Sequence, residues 1–144
     1  MGHNECVFCA IVAGEAPASI VREDEATLAF LDINPVTPGH LLVVPKRHAS
    51  FLADLEPADG GRLFVVGMRL AAALRSSGLR CEGVNLFLAD GKAAGQEVFH
   101  VHLHVIPRFA GDGFRIDADG SAHPSRVELD ADAARIRDSL PRST

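Results

Sequence analysis

Three histidines alternate with apolar residues in His100-Val101-His102-Leu103-His104-Val105-Ile106, and two cysteines stand two residues apart in Cys6-Val7-Phe8-Cys9. Both patterns can do chemistry. A neutral imidazole nitrogen is a good nucleophile toward phosphorus when the other ring nitrogen keeps its proton on a fixed acceptor. Histidines two apart on a strand share one face, roughly 6.6 Å from one to the next at about 3.3 Å per residue, so the flanking rings can donate to whatever the central one attacks. Three imidazoles are a poor way to cover a plain sheet, since each buried ring needs a hydrogen-bond partner. The cysteine pair supplies half of a tetrahedral zinc site that two histidines can complete. Packing as small apolar residues or a redox pair would use the same spacing, but no thioredoxin-like strand, loop and helix surround it.

Such groups need a rigid frame. Residues 98–106 are rich in β-branched and aromatic side chains and read as a strand, with Val101, Leu103 and Val105 on the face opposite the histidines. Residues 6–13 read as a short helix stopped by Gly14, and 19–22 and 26–31 as two strands around the acidic turn Glu23-Asp24-Glu25. A loop with Pro35, Pro38 and Gly39 leads to His40 and the apolar run 41–45, a strand buried on both faces. Pro57 then opens a long helix in which Leu63, Val66, Leu70 and Leu74 recur at helical spacing until Gly78. Residues 83–88 form the next strand, and 128–140 a terminal helix. The order predicts an α+β domain, an antiparallel sheet of about five strands covered by one long helix, with a short N-terminal helix.

At 144 residues the chain can bury one core unaided, and it reads as one domain with its core at about 6–109 and a C-terminal extension at 110–144. No apolar run approaches the roughly 20 residues that span a bilayer, and Met1-Gly2-His3-Asn4 has no signal-peptide pattern, so a cytoplasmic, non-membrane protein is expected. Three cysteines argue against a disulfide framework. A net charge of −5 argues against nucleic acid as a partner, though not against a small phosphorylated ligand.

The His100–Ile106 run resembles the histidine triad (HIT) family, whose hallmark is three histidines alternating with apolar residues. Gly95-Gln96 before it and Pro107-Arg108 after it are also similar to that family, and the likeness runs from about Cys6 to Phe109. The resemblance implies a homodimer that binds a purine nucleotide or a derivative and cleaves it at the α-phosphorus. His102 would attack and form a nucleotidyl-histidine that water later hydrolyses. His104 and Gln96 would donate to phosphate oxygens, and His40 would position the nucleophile. Asp32 would meet the ribose hydroxyls, as a carboxylate can accept two donors from a cis-diol. Phe8, Ile11, Phe30 and Ile33 match the positions that sandwich the base; as core or as base pocket, all four should be buried. Several bacterial members bind structural zinc through a cysteine pair and two histidines, which implies Cys6, Cys9, His48 and His100 here. Ala89 departs from the Asn or Gln that many relatives carry there, so Asn85 or Asp90 would have to compensate. Glu97 replaces a Ser or Thr, leaving its backbone N–H as the contact.

Dinucleoside polyphosphates and nucleoside phosphoramidates are the candidate substrates, and Pro107-Arg108 leans toward the former. Two other functions compete. One is a metal-dependent hydrolase that uses the histidine cluster; the other is a non-catalytic nucleotide-binding scaffold.

Overall fold

A computed structural model of the chain describes residues 6–141; Met1 to Asn4, with His3, lie outside them. The chain divides into two compact units after Gly113. The first contains α1 (Val7–Val12), β1 (Ile20–Glu23), β2 (Thr27–Leu31), β3 (Leu41–Pro45), α2 (Pro57–Ser76), β4 (Gly83–Phe87) and β5 (Leu103–Arg108). The five strands form one antiparallel sheet in the order β1-β2-β3-β5-β4.

The apolar run of β3 has the environment it requires, because Leu41 to Pro45 are all buried at the middle of the sheet. Strand alternation splits its side chains between two cores. Leu41 and Val43 pack with Leu63, Val66, Leu70 and Leu74 of α2, while Leu42 and Val44 pack with Phe8 and Ile11 of α1. Val101, Leu103 and Val105 join the α2 side as their spacing predicts. Pro57 opens α2, and Gly78 follows its end at φ +90°. The β1–β2 turn is held by Asp24, whose carboxylate accepts the N–H groups of Ala26 and Thr27, each at 2.8 Å. Against the desolvation that burial imposes, the Arg22 guanidinium and these N–H groups keep that carboxyl well below the usual range.

The expected histidine strand is corrected at its start. β5 begins at Leu103, so His100, in a bend, and His102 lie outside the ladder. The reason is Pro45. Lys46 N–H donates to Ala26 toward β2, so strand alternation turns the polar groups of Pro45 toward β5. Proline has no N–H to give there, and its carbonyl is taken by the His100 ring at 2.8 Å. Val101 N–H goes instead to the Ala49 carbonyl at 2.8 Å. Farther along, Phe30, Leu42, His104 and Phe87 lie opposite one another across four strands. This row puts His104 on the α1 face.

In the second unit residues 114–125 carry no regular structure, and α3 (Arg126–Ser139) follows. It starts two residues before the expected 128 because Ser125 and Glu128 form a capping box, each side chain bonding the other's N–H.

Gly67 marks where α2 meets the sheet, since a Cβ there would stand 2.9 Å from the Leu103 side chain, whereas one on Gly61 would meet nothing within 4 Å. Helical Gly→Ala changes ordinarily stabilise by about 0.5–1 kcal/mol, and crowding a packed core costs about 1–3 kcal/mol. Gly61→Ala should therefore raise the unfolding midpoint in denaturant and Gly67→Ala should lower it. Equal stability of the two variants would contradict this packing.

Candidate active site and metal centre

The N-cap of α1 is Cys6, whose Sγ accepts the Cys9 N–H at 3.4 Å. This one helical turn aims both sulfurs at the same point. His48, just past β3, and His100 bring their Nδ1 atoms to it, 3.2 Å from each other. Cys9 Sγ lies 3.2 Å from His48 Nδ1, and His100 Nδ1 lies 3.4 Å from Cys6 Sγ and 3.6 Å from Cys9 Sγ. Zinc bonds of about 2.3 Å to sulfur and about 2.0–2.1 Å to nitrogen imply ligand separations of about 3.3–3.8 Å at tetrahedral angles. The four atoms fit. His100 Nε2–H donates to the Pro45 carbonyl, which puts the lone pair of that ring on Nδ1, and His48 Nε2 lies 3.2 Å from the Ser50 hydroxyl. Burial, then the neighbouring Cys6, push the Cys9 thiol up to about 11. A bound cation offsets exactly that kind of cost.

His40, His102 and His104 are oriented from the backbone. A carbonyl can only accept, so the 2.8 Å contact between His102 Nδ1 and the His100 carbonyl places the proton on Nδ1 and the lone pair on Nε2. An N–H can only donate, so the 3.0 Å bond from Val36 N–H leaves His40 Nδ1 bare and its proton on Nε2. That proton is donated to His104 Nδ1 at 2.9 Å, and His104 carries its own proton on Nε2. Burial holds both His40 and His104 below the ordinary imidazole value, and His104, lowered further by His102 and His40, reaches about 4. Both rings are therefore neutral at pH 7, and His104 presents a neutral N–H donor. The rings of His102 and His104 stand 5.0 Å apart, closer than ideal strand spacing.

Both rings line a cavity of about 560 Å³ between α1, the ends of β2 and β3, and the segment 95–98. Phe8 lies edge-on to Phe30 at 5.5 Å and to His102 at 5.1 Å, so the apolar wall touches the His102 ring directly. Phe8, Ile11 and Phe30 are buried as expected. Ile33 is not; it is 88% exposed at the cavity rim. The Asp32 carboxylate accepts the Asn34 N–H at 2.9 Å, making a tight turn that lifts the intervening side chain out of the core. Asp32 lines the cavity and lies 3.6 Å from His40 Nε2.

Other expected residues lie elsewhere. Gln96 is buried but does not line the cavity: its amide is used by Gly91 N–H and by the carbonyls of Ser50 and Val98. It ties the loop before the triad to Ser50, the partner of His48. Asn85 also lies outside the lining, with its side-chain oxygen bound by Arg108 at 2.6 Å. Asp90 accepts the Leu52 N–H at 3.0 Å, so neither residue supplies what Ala89 lacks. Arg108 is held by the Asp112 carboxylate and cannot stand as a free phosphate ligand. Val36 and Pro45 were not legible as site residues, because each acts through its backbone.

One zinc per chain is expected in protein purified without chelator, falling below about half in Cys9→Ala. Full zinc in that variant would contradict the ligand set. Because His40 and His104 titrate below their unfolded value of about 6.5, the unfolded chain binds more protons in acid. Stability should be complete above about pH 6.5 and decline toward pH 4. The thermal midpoint should fall from pH 7 to 5, and fall less in His104→Gln; equal falls in both proteins would contradict the buried neutral ring.

The HIT domain profile matches residues 13–111. A Zn-bound histidine triad family protein from Mycobacterium smegmatis superposes with a TM-score of 0.76 at 45% identity, over 96% of this chain and 100% of that one. A histidine triad nucleotide-binding protein from Candida albicans gives 0.82 at 28% identity, over 93% and 96%. An adenylylsulfatase of Arabidopsis thaliana is 35% identical over 92% of this chain and 66% of its own length. With the triad, the cavity and the zinc centre in place, the chain belongs to the histidine triad family.

Proposed function

We propose that the protein is a nucleotidyl hydrolase or transferase that works through a nucleotidyl-His102 intermediate. The observation that carries this reading is the bare Nε2 of His102, held by the His100 carbonyl and flanked in the cavity by the N–H of His104. The lone pair of His102 forms a bond to the α-phosphorus as the bond to the leaving group breaks, an amine departing with that electron pair and a proton taken from solvent. Its Nδ1–H stays on the carbonyl, which stabilises the charge the ring gains. His104 Nε2–H donates to the phosphate oxygens as they gather charge, and the Glu97 backbone N–H, free among the described residues, adds a second donor. Water then attacks phosphorus and returns the electron pair to His102. Asp32 accepts the ribose hydroxyls, and Phe8, Ile11 and Phe30 receive the base, with exposed Ile33 closing over it. The family's nucleotide-binding relative and the shape of this cavity support the assignment.

A metal hydrolase built on Asp32, His40 and His104 is disfavoured by the hydrogen bonds already made by both ring nitrogens of His40. A homodimer suits β4, which ends the sheet, and exposed Phe64 and Met68 on α2. No described helix is long and apolar enough to cross a membrane, and three cysteines outside any disulfide among the described residues suit the reducing cytoplasm.

His102→Ala should abolish turnover of an adenosine phosphoramidate, by at least about 10³-fold, while nucleotide still binds. Turnover within tenfold of the native rate would overturn the reading. The native rate should also fall in acid, because a proton on Nε2 removes the lone pair that attacks.

A further inference from the structure

The proton on His104 is set, through His40, by the Val36 N–H, and that N–H needs a fixed position of its own. It lies in the loop between β2 and β3. Asp32 N–H donates to the His40 carbonyl at 2.9 Å and closes the loop at its base. Beside Val36, the segment Thr37-Pro38-Gly39-His40 forms a tight turn, with His40 N–H donating to the Thr37 carbonyl at 3.1 Å. Pro38 brings the fixed φ of the second turn position, and Gly39, at φ +96°, the positive φ of the third. These bonds hold the loop to itself. The Thr37 hydroxyl holds it to the triad strand, donating to the Pro107 carbonyl at 2.6 Å. Among the described residues no other hydrogen bond ties 33–39 to another strand. The bond is buried: Thr37 is 3% exposed, and the Pro107 side chain is fully enclosed. It also stands where the ladder stops, since β3 and β5 pair no farther than Leu41 with Val105.

We propose that Thr37 is a positioning residue: its hydroxyl, anchored on Pro107, keeps the Val36 N–H on His40 Nδ1 and so fixes the donor that His104 presents to the phosphate, a role that rests on the nucleotidyl-His102 reading. Without the hydroxyl the turn keeps its own bonds but loses its hold on β5, and a buried carbonyl is left unpaired. Once the Val36 N–H shifts from Nδ1, nothing confines the His40 proton to Nε2. A His40 protonated on Nδ1 turns a lone pair toward His104, which pairs with it only by carrying its own proton on Nδ1. Each ring still holds one proton, so no charge changes. His104 Nε2, however, then faces the phosphate with a lone pair where a donor belongs.

Thr37→Val keeps the side chain's shape and removes its donor, whereas Thr37→Ser keeps the donor and removes a methyl group. Nitrogen-15 spectra of the histidine rings, taken without substrate, should show His104 protonated on Nε2 in the native protein and in Thr37→Ser, and a mixture of both tautomers in Thr37→Val. With an adenosine phosphoramidate, kcat should fall about tenfold in Thr37→Val with KM within about twofold of native, a loss in the range that small misplacements cost. Thr37→Ser should restore it. In a His40→Gln background Thr37→Val should cost nothing further, because the hydroxyl acts through His40. Thr37→Ser and Thr37→Ala differ by the hydroxyl alone and give the same contrast if the valine variant does not fold. Native tautomers and kcat without the hydroxyl, equal losses in the serine and valine variants, or losses that multiply with that of His40→Gln would overturn the proposal. Failure of the nucleotidyl-His102 reading shows separately, as turnover that survives in His102→Ala.

Discussion

The hydrogen bond from His102 Nδ1–H to the His100 carbonyl is the constraint on which the site depends. It fixes a tautomer, and with it the atom that can attack. The carbonyl is itself fixed, because the His100 ring is held by Pro45 on one side and directed into the zinc cluster on the other. One residue thus orients the His102 ring with its main chain and faces the Cys6, Cys9 and His48 cluster with its side chain. A zinc ion held by this cluster would brace the backbone that sets that proton's position.

The same logic runs through the second arm. Val36 N–H dictates the protonation of His40, which dictates that of His104. Burial keeps both rings neutral, so the relay ends in an N–H donor and adds no buried charge. The sheet supplies the rigidity: Leu42 faces His104 across the ladder, and Leu103 and Val105 lock the strand against α2. A loose core would blur the 5.0 Å separation of the His102 and His104 rings.

Much of this was legible in the sequence because it lies in periodicity and side-chain type. The helical spacing of Leu63, Val66, Leu70 and Leu74, the apolar run of β3 and the alternation of Val101, Leu103 and Val105 each placed their residues on the side they occupy. The zinc ligands came from resemblance to relatives and gather as that resemblance implies. What escaped depends on the backbone or on competing partners. Pro45 ends the ladder before His102, a consequence of which way one missing N–H points. The turn that exposes Ile33 is set by an Asp–amide bond. Gln96 and Asn85 are polar residues near the motif, but Ser50 and Arg108, distant in sequence, engage them first. Arg108 is likewise taken by a group the spacing did not announce, the Asp112 carboxylate four residues on.

The central claim is a statement about protons, so the most direct measurement locates them. Nitrogen-15 NMR of the histidine rings in the zinc-loaded protein at pH 7, observing long-range couplings to the ring carbons' protons, reports each tautomer. The account predicts a proton on Nδ1 of His102 and on Nε2 of both His40 and His104. A His102 protonated on Nε2, or a His104 protonated on Nδ1, would contradict it.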